Sequence, residues 1–307
     1  MIKNLQKKRA VVLLVLVVVG AAFILLGKVG AKTGQAEMAM NQAITEIQSG
    51  PDRSVKNQGF HVMNHPSGVY SYTKNWDDAK ERGVVRFSHG KNSFEVSNVT
   101  ILTGLGDRNF PENGVDNWSL MLGLGPEKMD SYEDARKKIT SLLAQLRAAG
   151  WQRYIEGSDP RLSGKQAMLY ALSHSGQTYS LDSTYTVTPE EWKRLVVAEP
   201  VWEFYADGIF LNLTLSYWSS NAPDVGRYLV SIKISTAADN YSPYFSDDDD
   251  DKKRHWKKYL SDRLAPVRNE RNVVEARLDP HEFKIDTSYM PPPFEAPDFS
   301  AQSGGAQ

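Results

Sequence analysis

From Ala10 to Gly27 the chain reads Ala-Val-Val-Leu-Leu-Val-Leu-Val-Val-Val-Gly-Ala-Ala-Phe-Ile-Leu-Leu-Gly, eighteen residues without a charged or polar side chain. As a helix this stretch rises ~27 Å, close to the hydrocarbon thickness of a bilayer. Lys3, Lys7, Lys8 and Arg9 precede it, and only Lys28 and Lys32 follow closely. That asymmetry retains residues 1–9 in the cytoplasm and sends everything after Lys32 across the membrane. The expectation is a single-pass anchor in a bacterial inner membrane with a periplasmic C-terminal region.

A cleaved signal peptide is the competing reading. Signal peptides carry a shorter apolar core, roughly 7–15 residues, and a small-x-small cleavage site. The run here is longer, and Val29-Gly30-Ala31 and Gly34-Gln35-Ala36 are only tolerable cleavage sites. With no cysteine anywhere, a lipid-modified cysteine after the run is excluded. A buried core helix is the plain alternative, and its terminal position and basic flank argue against it.

The net charge of −1 hides a split. Residues 1–32 hold six of the 36 basic side chains and no acid, so the remainder carries 30 basic against 37 acidic residues. An exported region of that sign has no footprint for nucleic acid and little general affinity for anionic lipid. Without disulfides it must stand on its core, which seven Trp, fourteen Tyr and eleven Phe can supply. That composition fits a Gram-negative periplasm better than an endoplasmic reticulum. Four Asn-x-Ser/Thr matches, at Asn98, Asn117, Asn212 and Asn240, are read as chance because the first three fall in expected strands.

After the anchor, residues 28–57 read as a polar spacer with a helix-like stretch from Ala36 to Ile47. A first α+β domain is expected over 58–197. Strands are expected at 84–87 and 94–103, with a bulge near Ser97-Asn98 where the alternation slips by one residue. Another strand spans 118–124. Tyr132, Ala135, Ile139, Leu142, Leu146 and Ala149 form one stripe of a helix over 131–149, capped at its start and stopped by Gly150. A strand at 151–155 follows, then a hairpin made of 166–172 and 179–187. Thr188-Pro189-Glu190-Glu191 opens a short helix.

A second domain or half is expected over 198–285. Two alternating strands there flank a loop from Ser219 to Gly226, followed by helices 252–264 and 266–278. The order strand, strand, helix thus recurs, at 94–149 and at 208–264. From Asp286 to Gln307 a Pro-rich, low-complexity tail reads as disordered. A Pro-rich strip can alternatively dock on a partner in extended form. The fold class expected is α+β, with antiparallel sheets and helices packed on one face.

Motifs for chemistry are weak. His61 and His65 have a helical metal spacing, but Gly59, Pro66 and Gly68 surround them and Val62 stands where a metalloprotease carries Glu. Ser173-His174-Ser175 reads as a turn, since catalytic triads assemble in space rather than between sequence neighbours. Gly104-Leu-Gly106 and Gly123-Leu-Gly125 lack the remainder of any phosphate loop and read as strand-ending turns. Glu190-Glu191 and Asp77-Asp78 are adjacent acids whose side chains point apart. Asp247, Asp248, Asp249, Asp250 and Asp251 form an acid run before Lys252, Lys253 and Arg254. That is a good helix start, a poor calcium loop and a plausible patch for a basic partner.

No catalytic residue, metal ligand or cofactor is therefore expected. The function expected is protein binding by a membrane-anchored inhibitor or immunity-type protein, facing an envelope-directed toxin or hydrolase that is basic and secreted. The binding surface is placed on Asp247–Asp251 and on Asn221 and Asp224 of the 219–226 loop. The alternative is a structural component of a secretion or pilus assembly complex. An envelope hydrolase with scattered residues, around His89, His174 or His281, comes third.

Overall fold

Alternation along the strands decides which residues share a face, and one sheet gathers almost all of them. The computed structural model describes residues 43–50, 55, 58–76, 82–125, 129–174 and 178–295. The apolar run 10–27, most of the spacer and the chain beyond 295 lie outside the described residues. None of the described helices is long and apolar enough to cross a membrane.

The protein is mixed α+β, with a large sheet and helices. Its spine is two meanders, β4 (Gly83–Phe87), β5 (Phe94–Asp107) and β6 (Val115–Gly123), then β9 (Val201–Ala206), β10 (Ile209–Ser219) and β11 (Val225–Thr236). They join edge to edge: β6 pairs antiparallel with β11 from Asn117↔Ser235 to Gly123↔Leu229. No sheet boundary therefore falls at 197/198, where the sequence suggests two halves. Around this spine lie the hairpin β2 (His61–Asn64) with β3 (Val69–Asn75), short β7 (Asp130–Ser131), short β8 (Gln152–Arg153), and β1 (Ile44–Ile47), which pairs parallel with β4. The helix-like reading of 36–47 is thus corrected for 44–47. Ile44, Thr45 and Ile47 are β-branched residues suited to a pleated surface, and Thr45 and Ile47 are buried there.

On the first face Phe87, Val96, Trp118, Leu120, Leu122, Phe204, Leu211, Leu213, Val230 and Ile232 form the main core. α1 (Tyr132–Ala148) covers it with Ala135, Ile139, Leu143 and Leu146. Fully burying each of the larger side chains stabilises by ~1.5–3 kcal/mol. Ser131 caps this helix by accepting from Asp134 N, and Gly150, at φ +85°, stops it. The expected bulge is present: Asn98 adopts φ +61°, and the pairing of β5 shifts register on both sides of it.

Segment 166–172 is corrected from strand to helix. α2 (Gly164–Ser173) buries Ala167, Met168 and Tyr170, and its Gln, Ala, Met and Leu are strong helix formers. The 179–187 segment contributes a single bridge, Ser180↔Val201, instead of a second hairpin strand. α3 (Pro189–Leu195) opens as expected, with Thr188 and Glu191 in a reciprocal capping box.

Helices also pack on the second face, which corrects the one-face expectation. Neighbours Phe210 and Leu211 are both buried although strand side chains alternate. Leu211 joins the main core, whereas Phe210 joins a separate cluster with α4 (Ala237–Tyr241), Phe245 and the last long helix. After α5 (Asp250–Arg254), that helix, α6 (Trp256–Arg277), runs unbroken through Pro266 and buries Trp256, Leu260, Leu264 and Arg271. The break falls at His255, ten residues earlier than expected.

The tail is corrected over 286–295. Phe294 packs its ring against Tyr205, Tyr241 and Trp256, with centroids 5.6, 5.6 and 6.0 Å away. Glu295 is only 6% exposed. The aromatic pocket that receives these residues comes from distant parts of the chain, so no local periodicity announces it.

Candidate functional site

The acid run is built into a helix start. Asp249 caps α5 by accepting from Lys252 N at 2.9 Å. The Asp248 carboxylate accepts from Arg263 at 2.5 Å and lies 3.4 Å from Lys252 Nζ. Asp250 and Asp251 stay largely exposed, facing Lys253 at 3.9 Å and His255 at 3.2 Å. Asp247 neighbours the Ser246 hydroxyl at 3.4 Å. Two of the five carboxylates therefore serve α5 and α6, and Asp250 and Asp251 present charge to solvent.

The hairpin loop is tighter than its sequence suggests, because β10 and β11 pair down to Ser219↔Gly226. Asn221 is exposed. Asp224, at φ +57°, pairs with Lys193 at 2.9 Å and accepts Tyr132 N on its main-chain oxygen at 2.9 Å. Loop and acid run lie at opposite ends of β11, whose twelve residues span ~40 Å at ~3.3 Å each. The structure does not bring them together into one patch.

Between those two ends lies a surface that no motif marks. On the second face α4 and its neighbours cover only the end around Phe210, Asn117 and Ser235. Beyond it β10 presents Thr214, Ser216 and Trp218, β11 Leu229, Ser231 and Lys233, and β6 Ser119 and Met121. Their partners across β5, β3 and β2 are Thr103, Leu105, Ser71, Thr73, His61 and Met63, by direct pairing. All are half-buried or exposed. Trp218, Met63 and Leu105 are 51%, 48% and 38% exposed. The face is flat, rich in hydroxyls and nearly uncharged, with Lys233 leaning to Asp239 at 3.5 Å.

At its covered end sits a carboxylate pair that sequence spacing cannot reveal, since 123 positions separate its members. Burial, reinforced by the nearby Asp239 carboxylate, pushes the Asp116 carboxyl up to about 7. Asp239 is held by Asn117 Nδ2 at 2.8 Å and caps nothing itself; its own amide donates to Thr236 Oγ1 at 3.2 Å. Asp116 can thus carry a proton near neutrality.

The histidine readings resolve locally. In β2 the extended backbone separates His61 from His65 by ~13 Å, so they do not aim at one metal. The Ser173 hydroxyl donates to Tyr170 O at 2.9 Å while His174 stacks on the Tyr170 ring, so both finish α2. His89 meets Ala206 O at 3.3 Å, and His281 is exposed. Among the described residues no group of three or more His, Cys, Asp or Glu converges as a metal site. Gly104 and Gly106 lie within β5 rather than at a turn. A Cβ on Gly104 would stand 2.6 Å from the Trp118 ring, and one on Gly106 2.3 Å from the Tyr70 hydroxyl.

No protein-family model matches this chain, no curated protein matches it, and no solved structure matches it.

Proposed function

We propose that the chain is a protein-binding module of inhibitor or immunity type, held at the inner membrane by residues 10–27 and displaying its sheet in the periplasm. Its target would be a basic, envelope-directed toxin or hydrolase. The observation that supports this reading is the uncovered stretch of the second sheet face. Sheets in soluble domains bury an apolar face against another layer. Here the uncovered part is flat and polar, with Trp218 and Met63 standing out of it. Aromatic residues and Met are enriched at protein interfaces, and Trp is a frequent binding hot spot. Small-molecule sites, by contrast, are concave and mostly apolar. Asp250, Asp251, Asp224 and Asn221 flank the face at its two ends and supply steering charge toward a basic partner.

The test is capture by the full chain from a detergent extract of its own membranes, followed by assay of the purified partner. Stoichiometric inhibition of the captured toxin or hydrolase, lost on Trp218→Ser with Met63→Ser, is the expected result. A captured protein whose activity is untouched, or capture insensitive to both substitutions, would sink the reading.

The alternative, a structural component of a secretion or pilus assembly complex, has one observation in its favour. Among the described residues β2 pairs only with β3, and Val62 and Met63 on it are 49% and 48% exposed. Such an edge accepts an added strand from another chain. Extraction as part of a large stable assembly would favour this alternative over the inhibitor.

A further inference from the structure

Arg271 on α6 is 8% exposed. Its guanidinium donates to three main-chain carbonyls, Asp159 at 2.8 Å, Ile155 at 3.1 Å and Glu156 at 2.6 Å. Arg268, one turn earlier, donates to Ser261 O at 2.9 Å and Glu295 O at 3.3 Å, with the Ser261 hydroxyl at 3.5 Å. Among the described residues neither forms an ion pair with a carboxylate. The nearby acids are committed elsewhere. Both Glu275 oxygens accept from Arg161, at 2.9 and 2.7 Å. The Glu295 carboxylate accepts from Tyr154 and Tyr241.

These side chains line one cleft. It encloses about 360 Å³ between α6 and the tail, with Arg161, Arg268, Asn269, Arg271, Asn272 and Tyr289 on its walls. Positions 265, 268, 269 and 272 follow the i, i+3, i+4, i+7 rule, so one ridge of α6 forms the floor. The Asn269 and Asn272 side chains on that ridge are exposed and supply neutral donors. Tyr289 forms a wall, its ring centroid 5.8 Å from the Arg271 guanidinium carbon.

Carbonyls satisfy the geometry of a guanidinium but leave its charge uncompensated, and a desolvated charge without a counter-charge is costly. With Arg161 neutralised by Glu275, the cleft keeps two such charges. Planar guanidinium forks match oxyanions, phosphoryl groups above all. Two uncompensated charges match a dianion, whereas a carboxylate or a phosphodiester would leave one unpaired. The volume exceeds what a bare phosphate fills and falls in the range of small-ligand sites. On a region with more acids than bases, such a site must act at short range, within a screening length of about 8 Å.

We propose that the cleft between α6 and the tail binds the dianionic phosphoryl group of a small phosphate monoester. The group can be carried by a soluble ester or by a monoester lipid headgroup. This inference is independent of the partner proposed for the sheet face, which lies on other elements.

The full chain in neutral detergent, titrated calorimetrically with inorganic phosphate, glycerol 3-phosphate and acetate, tests it. A second arm adds phosphatidic acid or phosphatidylglycerol to the micelles. Saturable binding of the phosphate probes is expected, at least tenfold tighter than acetate. Asn272→Asp places a carboxylate in the cleft without breaking any bond that holds the tail, and should weaken binding at least tenfold with an unchanged melting temperature. Asn269→Asp is the second variant, used if the first alters melting. Binding of glycerol 3-phosphate assigns a soluble ester, and binding of phosphatidic acid alone, with the same sensitivity to Asn272→Asp, assigns the lipid. No saturable binding of any phosphate monoester probe, or equal affinity in both Asp variants, overturns the site.

Discussion

The Tyr241 hydroxyl donates to the carboxylate of Glu295, 54 positions away in sequence, and thereby fastens the tail to the aromatic cluster under α6. Tyr154 donates to the same oxygen at 3.1 Å. Burial lifts the Glu295 carboxyl above the usual carboxylate range, and the two tyrosine donors oppose that lift without cancelling it. The folded state therefore holds the proton more tightly than the unfolded chain does. Stability is greatest at and below the unfolded value, ~4.3, and falls as pH rises toward the folded value.

It follows that Glu295→Gln should flatten this slope and stabilise the protein above the window. The expected gain at pH 7.5 is ~1 kcal/mol or more. Melting curves of both proteins between pH 4.5 and 7.5 check it. Parallel curves would show that the carboxyl titrates alike in both states.

Asp116 obeys the same sign in a window that is numerically defined. Its folded value is about 7, against a model-peptide value of 3.8, because burial and then Asp239 disfavour the ionised form. Stability contributed by the protonated carboxyl is fully present below ~4 and is lost as pH climbs through 7. Asp116→Asn should therefore stabilise at pH 8, by ~1–2 kcal/mol once partial solvent access is allowed for. At pH 4 it should change little. Urea midpoints at the two pH values separate this outcome from a uniform effect of the amide.

Gly104 and Trp118 test the packing of the first face. The Trp118 ring occupies the place where a Cβ on Gly104 would stand, and its Nε1 donates to Gln48 O at 2.9 Å. The indole is buried and cannot swing aside without losing that bond. Gly104→Ala should cost ~1–3 kcal/mol through overpacking. A midpoint unchanged within error would mean that the ring moves more easily than its burial implies.

What the sequence reveals here follows from how local the determining interactions are. The stripe of α1, the cap at Thr188, the stop at Gly150 and the slip at Asn98 are each settled within a few residues, and each is legible. Gln166–Leu172 misled because apolar residues dominate that short run, and periodicity cannot separate helix from strand there. Phe294 and Glu295 look like tail residues until Tyr154, Tyr241 and Trp256 are brought to them. Likewise Asp116 and Asp239, Arg161 and Glu275, and the whole uncovered face become visible only when β6 is paired with β11. The acid run was legible as a helix start. Its division between helix-serving and solvent-facing carboxylates depends on Arg263, which sequence does not place beside Asp248.

That division gives the last prediction. Asp248 serves the fold, with its side chain 13% exposed against Arg263, so Asp248→Ser leaves Arg263 without its carboxylate. A half-exposed ion pair of this kind is worth little, and the expected loss is ~0.5–1 kcal/mol. Asp250 and Asp251, at 69% and 76% side-chain exposure, face solvent. Asp250→Ser with Asp251→Ser should leave melting within ~0.5 kcal/mol of the parent. If the run steers a basic partner, that double variant slows association and weakens its salt dependence, while dissociation stays nearly constant. Association and dissociation rates measured with the captured partner at two ionic strengths decide the matter. Identical association rates in parent and double variant would assign the acid run to helix capping alone.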